Sequence, residues 1–172
     1  MPTINLAWEE LMIQADGRYL SDAELKPFHQ YIQTLPARTK TYEILRAKSP
    51  ELIKIALKKF MLIHPEVMQQ HSKRCIYDMN MAICLMSVAM LRDDPRYFRE
   101  SLMLWLANIL SAYQKNVACL KAYHCLEETM QEKLPSACNQ LLKPYMDIIM
   151  EVLDIPPKLM ATVQRGAASA KG

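Results

Sequence analysis

Glycine is the residue whose scarcity most constrains this chain. It occurs three times in 172 residues, at Gly17, Gly166 and Gly172. Hairpin turns, dinucleotide-binding turns and phosphate loops need backbone positions with positive φ, which glycine adopts at little cost. A single glycine ahead of residue 166 cannot supply them, and repeating Asn-Gly or Asp-Gly turns are absent. A β architecture is thereby excluded, and the chain reads as all-α. At this length, with 51% hydrophobic residues, one domain can bury a continuous core without disulfides or metal staples.

Charge narrows the partners. Twenty-one basic and 18 acidic residues leave a net charge of +3, too balanced to imply nucleic acid. No uninterrupted apolar run approaches the ~20 residues of a membrane span, and no membrane insertion is expected. Met1-Pro2-Thr3-Ile4-Asn5 has neither a basic nor an apolar export region, so a cytoplasmic location is expected. The cysteines Cys75, Cys84, Cys119, Cys125 and Cys138 are odd in number and lack CxxC spacing. They read as reduced thiols, not as a disulfide scaffold or a zinc finger.

Helical punctuation is clear along the chain. Ile4, Trp8, Leu11 and Met12 lie at i, i+4, i+7 and i+8, a short amphipathic helix that Asp16-Gly17-Arg18 ends. Such a short helix is unstable alone, so it must dock on its own core or on a partner. Ser21-Asp22-Ala23-Glu24 is a capping box opening a helix toward Arg46, which Pro27 and Pro36 should bend or interrupt. Ser49-Pro50-Glu51 signals a new start, followed by Leu52, Ile55, Ala56, Phe60 and Ile63 at helical spacing. Pro65-Glu66 begins a turn or short helix to Arg74. A central helix then follows, with Cys75, Met79, Ala82, Ile83, Met86, Ala89 and Met90 on one face. Asp93-Asp94-Pro95 caps the next helix, whose stripe is Phe98, Leu102, Trp105, Leu106, Ile109 and Tyr113. Further helices are expected over about 116–132 and, opened by Pro135-Ser136, about 136–153. Seven or eight helices in all are predicted, in one domain over 1–154. That domain comprises an N-terminal pair (about 4–46) and a core (about 49–153), with a mobile tail over 155–172.

Two stretches carry a resemblance. Gly17-Arg18-Tyr19-Leu20-Ser21-Asp22-Ala23-Glu24-Leu25 is similar to G-R-F-L-S-x-x-E-L, and Lys73-Arg74-Cys75-Ile76-Tyr77-Asp78-Met79 to K-x-C-x-R-D followed by Met or Ile. Downstream, Ala89-Met90-Leu91-Arg92-Asp93-Asp94 stands where a Y-A-x-x-A-G-D turn would fall. In this order and at these intervals the segments resemble the phycobiliprotein family, the bilin-carrying α and β subunits of cyanobacterial and red-algal antennae. The similarity is collinear and nearly ungapped over about residues 4–153.

The resemblance implies a globin-like helical core preceded by two helices that pair subunits. It implies a linear tetrapyrrole of the phycocyanobilin type, held by a thioether on Cys75, with Asp78 accepting hydrogen bonds from its two inner pyrroles. Lys73, Arg74 and Tyr77 would complete the site. Helix geometry agrees, since Cys75 and Asp78, three apart, share a face. A carboxylate is a strong acceptor there, and flanking Lys73 and Arg74 favour the thiolate that forms the thioether. The chain departs from the pattern at particular places. Tyr77 replaces an Arg that partners a propionate, and Cys84 stands where a second Arg is common. Arg92-Asp93 replaces Ala-Gly, Trp105 replaces a Gly, and Asp16 abuts Gly17 where two residues usually intervene. The resemblance therefore implies a divergent paralogue. It is a bilin-binding phycobilisome-type protein for light harvesting or sensing and not an enzyme, at the cytoplasmic face of the thylakoid membrane. The alternative is a chromophore-less structural or regulatory protein of the same fold. Its partner would be a phycobiliprotein subunit or a second copy, met through helices about 4–46.

Other residues invite blander readings. Cys75 on an apolar face could be a small core residue, and the 13 methionines core filler. His64 and His71, seven apart, would be the ligands of a haem-binding globin-like sensor. His124 beside Cys125 cannot form a nucleophile pair on a helix, because adjacent residues diverge by about 100°.

Overall fold

The computed structural model describes residues 5–154 except 103–115. Six helices run through the described residues: α1 (Leu6–Ala15), α2 (Asp22–Ile63), α3 (Pro65–Arg92), α4 (described over 95–102), α5 (Asn116–Lys133) and α6 (Ser136–Leu153). Ile4, Trp105, Leu106, Ile109, Tyr113 and the expected tail over 155–172 lie outside the described residues.

Polar caps set the helix starts. The Asn5 side chain accepts from Ala7 N–H at 2.9 Å and opens α1. Asp16 and Gly17 then adopt positive φ (45° and 82°) and end it. Ser21 and Glu24 form the reciprocal capping box of α2. Asp94 Oδ1 accepts from Tyr97 N–H at 2.9 Å at the head of α4.

The breaks expected along α2 do not occur, and one expected ahead of Cys75 is displaced. The Ser49-Pro50-Glu51 start lies inside α2, a single 42-residue helix that also contains Pro27 and Pro36. An interior proline costs about 3 kcal/mol. Leu45, Leu52, Ile53, Ala56, Leu57 and Phe60 bury on both sides of Pro50, each large side chain contributing roughly 1.5–3 kcal/mol. Packing outweighs the local signal. The other break is displaced: α3 starts at Pro65 and kinks at His71 (φ −130°, ψ 16°), four residues before Cys75.

α2 and α3 form the central pair, with α5 and α6 packed around them. The predicted stripe from Met79 to Met90 on α3 is buried, with Cys75 half-buried at its end. By length and apolar content α3 would also pass for a membrane span, but that stripe faces the core. Phe98 and Leu102 of α4 are buried as the periodicity predicts, whereas Met12 and Ile63 are exposed. Tyr145 of α6 donates to Ala89 O at 3.2 Å and meets the edge of Phe98, closing the core across α3, α4 and α6.

The short N-terminal helix docks on its own chain. Trp8 stacks on Phe28 (4.6 Å between centroids) and meets Tyr31 edge-on at 4.7 Å. Asn5 Nδ2 donates to Arg92 O and Asp93 O at 3.2 and 2.9 Å, and Arg96 pairs with Glu10 at 2.7 Å. Met12, Ile13, Tyr19, Ile32 and Leu35 nevertheless stay exposed along α1, the connection after it and the first half of α2.

Candidate functional site

Below its kink, α3 carries Lys73, Arg74, Cys75, Tyr77 and Asp78 within about one and a half turns. Lys73 is exposed, Cys75 is half-buried against the core, and Asp78 is 17% exposed at the side chain. Cys75 and Asp78 therefore share the inner face, as their spacing predicts. Arg74 points along the outer edge. Its Nε donates to Asp78 Oδ2 at 3.0 Å, and its guanidinium lies 5.7 Å from the Tyr77 ring centroid. Tyr77 itself is 54% exposed.

The Asp78 carboxylate is only half satisfied. Arg74 Nε also lies 2.9 Å from Oδ1, but its hydrogen bond is directed at Oδ2. Among the described residues Oδ1 is buried and accepts no hydrogen bond. Buried acceptors nearly always accept hydrogen bonds, so a carboxylate oxygen with unused acceptor capacity, one helical turn from a thiol, fits a group that brings N–H donors.

α5 closes the site from the other side, with a residue that motif reading missed. Tyr123 is buried, and its hydroxyl donates to Asp78 O at 3.4 Å. Burial drives the phenol upward in pKa, and negative charge on Asp78, then Cys119 and Cys75, acts in the same direction. Those four groups thus form one electrostatic neighbourhood. The legible signal was the stripe Cys119, Ala122, Tyr123, Leu126 and Met130 on α5, four of which are buried.

The other sequence candidates sit elsewhere. His64 caps the α2–α3 junction, with Nδ1 3.2 Å from Glu66 Oε1 and its ring against Phe60. His71 is the kink residue. His124 is half exposed while Cys125 is buried.

Burial holds the Asp78 carboxyl above the ordinary aspartate value, and the Arg74 hydrogen bond and charge partly oppose that rise. The native chain therefore takes up this proton before the unfolded chain does. The contribution of Asp78 to stability grows as pH falls through its native pKa and levels off below the unfolded value of about 3.9. Above that window the ionised carboxylate is a net cost. Asp78→Asn is accordingly expected to equal or exceed the wild type in urea midpoint at neutral pH, with the advantage shrinking on acidification. A wild type that loses stability relative to the variant as pH falls would contradict this.

The described residues are thus all-α, a long helical arm leading into a core whose central helix carries a thiol and a carboxylate one turn apart. The chain matches the phycobilisome protein family over residues 11–153 and belongs to it; the fold of that family is globin-like. The allophycocyanin alpha-B chain of Cyanidium caldarium is 22% identical over 152 residues, spanning 81% of this chain and 93% of that relative.

Proposed function

We propose that this chain is a non-enzymatic phycobilisome subunit that carries a linear tetrapyrrole of the phycocyanobilin type, bound as a thioether to Cys75. The observation that carries the reading is the buried Asp78 Oδ1, on the same helix face as Cys75; it is ion-paired with Arg74 but accepts no directed hydrogen bond from the described residues. In this reading Asp78 accepts the inner pyrrole N–H groups, and Arg74 and Lys73 stand at the solvent edge where propionates would lie. Tyr77 supplies ring surface in place of a guanidinium. Tyr123 fixes the backbone of the turn that presents Asp78. When bound, such a pigment absorbs visible light and passes on the excitation.

A second reading is favoured by one contact. Arg74 already binds Asp78, and Tyr77 stands where the family has Arg. A chromophore-less protein that binds phycobilisome components would use the same fold. Co-expression with bilin-synthesis enzymes and a lyase separates the two. A coloured chain with a zinc-fluorescent band after denaturation supports the first, and a colourless chain supports the second.

The assembly partner in this reading is a phycobiliprotein subunit or a second copy, at the cytoplasmic face of the thylakoid. Met12, Ile13, Ile32 and Leu35 offer an exposed apolar face on α1 and α2. Deleting residues 1–15 is expected to lower the mass measured by light scattering. A monomer before and after the deletion would argue against this partner face.

A further inference from the structure

A second apolar surface lies away from both the Cys75 face and the N-terminal arm. Residues of α2 and α3 line a groove there of about 450 Å³. Ile53 and Leu57 form its floor, and Met61 and Ile76 stand in its walls, 46% and 49% exposed. Lys54 and Lys58 are also exposed and rim it, and no carboxylate lines it.

Three properties define what fits. The walls are open to solvent over about half their surface, so the groove does not enclose a small molecule as ligand cavities do. From Pro50 to Met61 it follows α2 for about 16 Å, room for three turns of a second helix. The apolar floor calls for a stripe of large side chains at i, i+4 and i+7, and the lysine rim calls for carboxylates beside that stripe. We infer that this groove docks an acidic amphipathic helix of a partner protein. The inference does not depend on whether Cys75 carries a pigment.

The test uses the full chain and a dye-labelled peptide of roughly 14 residues, long enough for three turns, with Leu at i, i+4 and i+7 and Glu on both flanks. A second peptide carries Lys in place of Glu. Fluorescence anisotropy is expected to show binding of the acidic peptide that weakens as salt rises, and none of the basic one. Lys54→Glu/Lys58→Glu, on exposed positions that leave the core untouched, is expected to weaken the acidic peptide about tenfold and to admit the basic one. Ile76→Glu is expected to abolish binding of the acidic peptide. Failure of the acidic peptide to bind, or binding unchanged by these substitutions, overturns the proposal. So does partition of the chain onto phosphatidylglycerol vesicles that Ile76→Glu removes, which would assign the groove to a lipid surface. A dimer that Ile76→Glu converts to monomer would assign it to a second copy and overturns it equally.

Discussion

Cys75→Ala is expected to yield a colourless chain from cells that make bilin, with no zinc-fluorescent band after denaturation. Its helical circular dichroism should match the wild type, because only a sulfur is removed from a half-buried position at the end of the α3 stripe. Cys119→Ala is the stringent control. That thiol lies in the same electrostatic neighbourhood, around Tyr123, and its loss should leave the pigment attached. Cys84→Ala, exposed on the outer side of α3, should also keep it. Asp78→Ala should retain the thioether but shift absorption to shorter wavelength and quench emission, since the inner nitrogens lose their acceptor and the pigment relaxes from an extended shape. With Tyr77 in place of Arg, attachment should be slower and bands broader than in ordinary antenna subunits. Pigment retained on Cys75→Ala, or lost only with Cys119→Ala, would overturn the assignment.

The fold was legible where the signal is local and polar. Ser21 with Glu24, and Asp94, each satisfy backbone donors within a few residues. Asn5 does the same for α1, but no motif singled it out. The prolines were misleading for the opposite reason. Pro50 carries a strong start signal, but its effect is set against side chains of α3 and α5 that a linear reading cannot place beside α2. Ile63 illustrates the same limit, since the periodicity continues to the end of α2, where Leu62 and Ile63 are exposed. In the candidate site, Cys75 and Asp78 were legible because three residues on a helix fix a shared face. Burial of Tyr123 was legible in the α5 stripe, but its contact with Asp78 was not, because 45 residues separate the two. Arg38 was missed for want of any pattern: a lone arginine among Ala37, Thr39 and Lys40 reads as surface, yet it is 2% exposed.

That arginine explains how the chain tolerates its departure at the α3–α4 turn. Asp93 stands where the resembling turn has glycine, and it adopts the left-handed backbone (φ 54°) that glycine would take. A non-glycine residue there carries strain of order 1 kcal/mol, aspartate less than most. Its carboxylate compensates by pairing with Arg38 of α2, 3.2 Å away. The guanidinium also donates to Tyr31 O at 2.8 Å and to Thr34 Oγ1, and lies 4.2 Å from the Tyr31 ring centroid. Tyr31 in turn receives Trp8, so the arrangement ties the N-terminal arm to the corner of the core. Asp93→Asn keeps a residue that accepts the left-handed backbone but strands a buried charge. Losing one member of a fully buried pair costs 3–5 kcal/mol, and because Asp93 is half in water the expected loss is about 2–3 kcal/mol. At this chain length that lowers Tm by roughly 4–12 °C. Arg38→Met removes the charge and refills the volume, leaving Asp93 able to turn to solvent, and should cost less despite deleting more contacts. Urea midpoints of the two variants decide the point. If Arg38→Met proves the more damaging, the guanidinium contributes through its hydrogen bonds and ring contact, and the charge pair with Asp93 is incidental.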